Sequence, residues 1–231
     1  MIMVFTAEHT PAEIVKVFPK ASDLFKQHRI DFCCGGEKPL SQTFSTIEID
    51  AAAVLSELNT AYDKWQNEDH EITDWDALSP AELIDHIVHT HHAYLNEELP
   101  ALGQFVTKIL RVHGKNHPHL EELHKSYNEF KVEMEKHMIN EEQEVFPLIN
   151  EYEKNPNSTL LQHIHEANGG LENEHETAGN LLKRMREITN GFEPPQDACR
   201  SYRITYSRLS DMETDTFQHV HLENNILFKK L

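Results

Sequence analysis

The sequence predicts an all-α protein, a small helical domain followed by an antiparallel four-helix bundle, on three observations. Two stretches, Thr10-Pro11-Ala12-Glu13 and Ser79-Pro80-Ala81-Glu82, repeat one helix-opening signature. Beyond the second, four long segments carry apolar residues at helical spacing, separated by the breakers HGKNHP, KNPNS and NGFEPP. No run of alternating apolar and polar residues competes with them as a strand.

Each opener puts a hydroxyl at the cap, proline at the first helical position and glutamate at the third, which together satisfy amides that a helix start leaves unpaired. After the first opener, Ile14, Val17 and Phe18, then Leu24 and Phe25, predict two short helices leading into Cys33-Cys34-Gly35-Gly36. Asp50 is the expected cap of a further helix carrying Val54, Leu55, Leu58 and Tyr62. The polar stretch QNEDHEITDWD then marks a boundary. We therefore read residues 1–65 as the small helical domain, 66–78 as a linker and 79–231 as the bundle. The bundle segments are expected at 81–112 with a kink at Pro100, at 119–152, at 159–188 with continuity in question at Gly169-Gly170, and at 196–228. Short connections between four such helices make them antiparallel neighbours.

The chain of 231 residues carries 39 acidic against 21 basic side chains and a formal charge of −18, so it repels polyphosphate and anionic lipid, and nucleic acid is excluded as a partner. The opening residues lack the basic region of a signal peptide, and no stretch approaches the roughly 18 apolar residues of a membrane span. The expectation is a soluble cytoplasmic protein. Three cysteines, two of them adjacent, make no disulfide framework, so the thiols are expected reduced. Cys199, alone near the start of the fourth segment, is read as structural.

In the second segment Leu120, Leu123, Tyr127, Phe130, Met134, Met138, Val145 and Leu148 form one stripe, and His137 and Glu141 fall on it. In the fourth, Tyr202, Thr205, Leu209, Met212, Val220 and Leu227 form another, which contains His219 and Glu223. A buried carboxylate with no partner takes up a proton, so one at the centre of an apolar face implies a cation or a metal. Residues four apart project from nearly the same side of a helix, so each His-Glu pair presents a nitrogen and an oxygen to one point. The spacing alone is weak: it arises roughly twice by chance in a chain this rich in His and Glu, and it recurs at His9 with Glu13 and His117 with Glu121. A longer likeness separates the two stripe pairs from that background, because HMINEEQEVF and HVHLENNILF repeat His, Glu and Phe at identical offsets.

Two half-sites suffice for one metal, and further histidines would make a dinuclear centre. In the third segment His175 borders the stripe of Leu171, Ala178, Leu182 and Met185. The first segment holds four histidines in HIVHTHHAY; Leu83, Ile87, Tyr94 and Leu95 put His91 mid-stripe and His92 at its edge, with His86 and His89 turned outward. Glu133 and Glu174 are candidate acceptors for the imidazoles. These donors suit zinc or manganese as well as iron.

The stretch FPKASDLFKQHRIDFCCGG resembles the N-terminal motif of the repair-of-iron-centres family, and HMINEEQEVFP, ENEHETAG and QHVHLENNILF resemble its bundle motifs in order. The resemblance implies a hemerythrin-like bundle with a non-haem, oxygen-bridged centre of two iron ions, held by His92, His137, Glu141, His175, His219 and Glu223. It favours His92 where periodicity favours His91, since the family has an aromatic before its first histidine and this chain has His91 there. A second departure is LFKKL at the end, where the family has proline after the phenylalanine. The implied activity is repair of, or iron supply to, iron–sulfur clusters damaged by nitrosative or oxidative stress. Cys33 and Cys34 would serve as thiolates that take iron from the bundle or pass it to an apo-cluster protein. Two other classes compete: nitric oxide reduction at the di-iron site, and hemerythrin-like dioxygen binding or sensing, although a simple gas carrier has no need of the Cys-Cys domain. Expected partners are damaged or apo iron–sulfur proteins and the small ligands nitric oxide and dioxygen, with a homodimer as the candidate assembly.

Overall fold

In the computed structural model residues 4–47, 49–68 and 73–231 are described, and every regular element among them is helical. Positions 69–72 of the expected linker lie outside the described residues. The chain forms two compact units, Met1–Ser79 together with Val220–Leu231, and Pro80–His219.

The first unit holds α1 (Pro11–Val17), α2 (Ala21–Gln27), α3 (Leu40–Ile47) and α4 (Ala51–Gln66). Helix α1 opens on the expected capping box: the Glu13 amide donates to Thr10 Oγ1 at 3.2 Å, and the Thr10 amide donates to Glu13 Oε2 at 2.9 Å. Helix α4 opens on Asp50, whose Oδ1 accepts from the amides of Ala52 and Ala53 at 3.0 and 3.1 Å. Ile14, Phe18, Phe25, Leu58, Tyr62 and Trp65 fill the core between these helices.

The second unit holds four helical runs. The first is α5 (Pro80–Ile87), a π turn (Val88–His92) and α6 (Ala93–His113); the second is α7 (His119–Asn140), a π turn (Glu141–Val145) and α8 (Phe146–Lys154). The third is α9 (Ser158–Ile188), and the fourth is α10 (Arg200–Leu222), whose last residues, from Val220, belong to the first unit together with a π turn (Glu223–Leu227) and a 3₁₀ turn (Phe228–Lys230). Helix α6 lies along α7, α5 along α8, and α9 along both α7 and α8. Helix α10 is fastened to α6 by Arg208, which donates two hydrogen bonds of 2.7 Å to the Glu98 carboxylate. No helix among the described residues is long and apolar enough to cross a membrane.

The doubtful point in the third segment is continuous. Helix α9 runs unbroken through Gly169 and Gly170, where an added Cβ would meet nothing, because Ile164 and Leu171 are buried on either side of the pair. Pro100 lies inside α6, as the expected first segment has it. The departures from α geometry fall instead at the three π turns. Each adds one residue to a turn and swings later side chains round by about 100°. In the second run this moves the buried stripe onto Phe146 and Ile149, leaving the expected Leu148 half-buried.

Candidate metal centre

Three of the four bundle runs break into a π turn at a predicted site residue. The turn Val88–His92 ends on His92, Glu141–Val145 begins on Glu141, and Glu223–Leu227 begins on Glu223. Such turns cost regular hydrogen bonding and concentrate at functional positions. The first explains the one-residue conflict between periodicity and resemblance. A regular helix puts His91 mid-stripe, whereas the extra residue brings His92 round to the interior, and His92 is 1% exposed.

The interior groups assemble as two sets of four. His92, Glu141, His219 and Glu223 form one, and His137, Glu141, His175 and Glu223 the other, with the donor atoms of each set within 4.8 Å of one another. The two glutamates are common to both sets, and all six residues are buried. The Nε2 atoms of His92 and His219 lie 3.2 Å apart, as do those of His137 and His175. Glu141 Oε2 lies 3.2 Å from His92 Nε2, 3.3 Å from His137 Nε2 and 3.8 Å from His219 Nε2. Neither Glu141 oxygen makes a hydrogen bond, although the side chain is fully sealed from water.

The orientation of the imidazoles supplies the chemical test of whether a metal fits. The Nδ1–H of His92 donates to Glu142 Oε1 at 2.8 Å, and the Nδ1–H of His137 donates to Glu174 Oε2 at 3.0 Å. Since an ionised carboxylate only accepts, each ring carries its proton on Nδ1 and turns the Nε2 lone pair inward. Ligating histidines show this arrangement, the outer carboxylate fixing both tautomer and ring orientation. The hydrogen bond from His137 also holds the Glu174 carboxyl below the usual carboxylate range. Inward lone pairs, facing nitrogens and a sealed carboxylate without hydrogen bonds are what a cation resolves, and the residues fit one.

The structure leaves His91 outside both sets. Its Nδ1 lies 2.9 Å from Asp215 Oδ1, and its ring stacks on that of His219 with centroids 5.7 Å apart. His86 is half-buried and His89 exposed, the latter 3.1 Å from Asp85. Of the candidate acceptors, Glu174 serves His137 rather than its neighbour His175, while Glu133 makes no contact with these imidazoles among the described hydrogen bonds. Glu142 was missed from the sequence. It follows a predicted ligand directly and reads as a solvent-facing residue until the π turn is known.

Cys33 and Cys34 lie in the first unit, between α2 and α3, and no described cysteine is in a disulfide. Cys33 is buried, Cys34 is exposed, and their Sγ atoms are 3.6 Å apart. Asp31 Oδ1 accepts from the amides of Cys33, Cys34 and Gly35 at 3.1, 3.0 and 3.1 Å. The turn depends on Gly36, where a Cβ would sit 2.2 Å from the Phe32 carbonyl oxygen; at Gly35 it would make only ordinary contacts. Asn225, in the π turn that begins with Glu223, donates to the Cys33 carbonyl at 3.2 Å. Cys199 is exposed, with Sγ 3.1 Å from His113 Nε2, so it is no packing thiol.

A helical bundle that buries two such His/Glu sets defines a cation-binding protein of the hemerythrin type. A family model described as the hemerythrin HHE cation binding domain matches residues 83–231, and a second, a domain of unknown function (DUF542), matches residues 7–62. The chain is 34% identical to the iron-sulfur cluster repair protein ScdA of Staphylococcus haemolyticus, over 97% of this chain and 98% of that one. It is 35% identical to ScdA of Staphylococcus epidermidis over 98% and 99% of the two chains. It is 32% identical to the iron-sulfur cluster repair protein YtfE of Yersinia pseudotuberculosis over 92% and 91%. The chain belongs to the repair-of-iron-centres family.

Proposed function

We propose that this protein repairs damaged iron–sulfur clusters in the cytoplasm, with two irons resident in the bundle and the Cys33-Cys34 pair as the thiols through which iron is exchanged with a client. One observation carries the reading: two sets of four buried donors that share Glu141 and Glu223. One set of four suits a single metal, whereas two carboxylates common to two imidazole pairs suit a dinuclear centre. Relatives matching nearly the whole chain are named iron-sulfur cluster repair proteins, which supports iron as the metal and cluster repair as the task.

Two irons held there would supply a redox-active pair with coordination left open to a small ligand such as nitric oxide or dioxygen. His92, His137, His175 and His219 would be the nitrogen ligands, and Glu141 and Glu223 the bridging carboxylates. Glu142 and Glu174 hold two of the imidazoles in their binding tautomer. Phe146, buried and stacked on His92 with centroids 5.8 Å apart, shields that imidazole from water. The Cys-Cys turn has no use in a gas carrier, and it favours repair over dioxygen binding.

Metal analysis with Mössbauer spectroscopy on protein isolated without added metal tests the centre. Two coupled irons per chain are expected, and a single zinc overturns the reading. The thiols are tested separately: Cys33→Ser with Cys34→Ser retains the iron and loses repair of a damaged cluster, and unchanged repair removes them from the mechanism.

A further inference from the structure

The thiol pair has a third member that the sequence did not single out. Asp31 Oδ1, held in place by three backbone amides, lies 3.5 Å from Cys33 Sγ, and Cys33 Sγ lies 3.6 Å from Cys34 Sγ. One carboxylate oxygen and the two sulfurs fall within 4.8 Å of one another. These separations are those of a coordination sphere. Two thiolates about 2.3 Å from a tetrahedral cation stand roughly 3.8 Å apart, and a thiolate and a carboxylate oxygen on the same cation roughly 3.6 Å apart.

We infer that Asp31, Cys33 and Cys34 form a second metal site, separate from the bundle centre, for a thiophilic divalent cation. A carboxylate and two thiolates together carry three negative charges, and a divalent cation is the partner that gathers them; the two thiol protons leave to solvent as it binds. Three ligands leave one tetrahedral position open. Cys34 is exposed, so a ligand from another molecule can reach a cation held there. A structural zinc site closes all four positions, whereas this one keeps a place for a ligand from another molecule, which suits capture and release. Its task as the station for outgoing iron rests on the repair reading above; its existence as a metal site does not.

The turn is built to hold this geometry. Gly36 lets the chain fold back against Phe32, and the three amides on Asp31 Oδ1 anchor the carboxylate within the turn, 3.5 Å from Cys33 Sγ. From the other side Asn225 ties down the Cys33 carbonyl and contacts His221 Nδ1 at 3.2 Å.

The test is a titration of the full-length protein, its bundle loaded as isolated, with Co²⁺ followed by competition with Zn²⁺. One equivalent of Co²⁺ is expected to bind with thiolate-to-cobalt charge-transfer absorption in the near ultraviolet. X-ray absorption at the cobalt edge should count two sulfurs and at least one oxygen, a measurement that needs no variant. Cys33→Ser and Cys34→Ser abolish the band, Cys199→Ser leaves it unchanged, and Asp31→Asn, which keeps an acceptor for the amides, weakens binding at least tenfold with both sulfurs still counted. Absence of the band in the wild type, a band that depends on Cys199, or an Asp31→Asn affinity equal to wild type overturns the site. No client protein is present, so failure of cluster repair leaves this result standing. Repair by a protein that shows no such band overturns the site alone.

Discussion

Glu141 and Glu213 are both fully sealed inside the bundle, and the protein answers them in opposite ways. Glu213, on α10, receives a fork of hydrogen bonds from Arg186 on α9, Nε donating to its two oxygens at 2.8 and 3.1 Å and Nη2 closing the pair. The guanidinium also sits over the Phe192 ring, 5.2 Å from its centroid. Glu141 has no arginine or lysine within ion-pair distance among the described residues. It meets imidazole nitrogens at 3.2, 3.3 and 3.8 Å and forms no hydrogen bond with them. A carboxylate on an apolar face is therefore not by itself the mark of a metal. The mark is a sealed carboxylate that makes no hydrogen bond and faces imidazoles whose outer nitrogens are held by other carboxylates, because acceptors gathered in this way are relieved by a cation.

The strongest way to break this contrast is Glu141→Gln, which removes a carboxylate common to both sets. The metal content of the purified protein should fall to less than half of wild type. The stabilisation linked to the metal, about 4 kcal/mol at a free concentration a thousandfold above Kd, should go with it. The apo forms should rank the other way, with apo Glu141→Gln more stable than apo wild type by about 1–3 kcal/mol, since the Gln amide can donate to the imidazole nitrogens where the carboxylate oxygens make no hydrogen bond. Elemental analysis and thermal melts before and after chelation decide it; full metal content in the variant would remove Glu141 from the centre.

Arg186→Met is the complementary test at the other carboxylate. Leaving Glu213 buried without its cation should cost about 3–5 kcal/mol, read as a lower denaturation midpoint, with metal content per folded chain unchanged. Replacing both partners, Arg186→Met with Glu213→Leu, should recover most of that loss, because an apolar pair no longer strands a charge. A loss of metal in Arg186→Met would mean that the two carboxylates are not independent.

The same contrast shows what was legible in the sequence. Helix starts were readable at Thr10 and Asp50, where a short side chain reaches a nearby amide and no distant contact is involved. The burial together of His137 with Glu141 and His219 with Glu223 was readable because four-residue spacing and a matching context are local too. Glu213 was not separated from the solvated acids around it, since its partner lies 27 residues away in the chain. The π turns were invisible for a related reason. Nothing in the composition of Val88–His92 or Glu141–Val145 marks an extra residue, and that residue decides between His91 and His92 and turns Glu142 towards its histidine. Asp31 escaped notice because its importance lies in three amides and a thiol that only the folded turn collects.

Smaller effects sharpen the account of how the imidazoles are held. Glu142→Gln keeps the size of the side chain that accepts from His92 Nδ1 and removes its charge, and the loss of such an outer carboxylate costs at least about tenfold in metal affinity. Glu174→Gln should do the same through His137. The effect of Glu142 should be the smaller of the two, because its side chain is 42% exposed against 21% for Glu174. Competition with a chelator of known affinity measures both, and equal affinity in all three proteins would mean that packing alone orients the rings.

The smallest expected effect lies near His113 and His117, where the bundle holds histidines with no metal set among the described residues. His119 Nε2 lies 3.1 Å from the Tyr202 hydroxyl and 3.0 Å from that of Tyr206. Burial, then the neighbouring His117, push its imidazole below the ordinary value of 6.5. The unfolded chain therefore takes up the proton first as pH falls below 6.5, and the folded protein loses stability from that point down to the folded-state value; above 6.5 the group has no effect. His119→Gln should flatten the pH dependence of the denaturation midpoint below pH 6.5 by a fraction of one proton, while metal content at neutral pH stays the same. An unchanged slope would mean that His119 does not carry the acid sensitivity, and would leave it to the other imidazoles that burial holds below the ordinary value, His86 and His221.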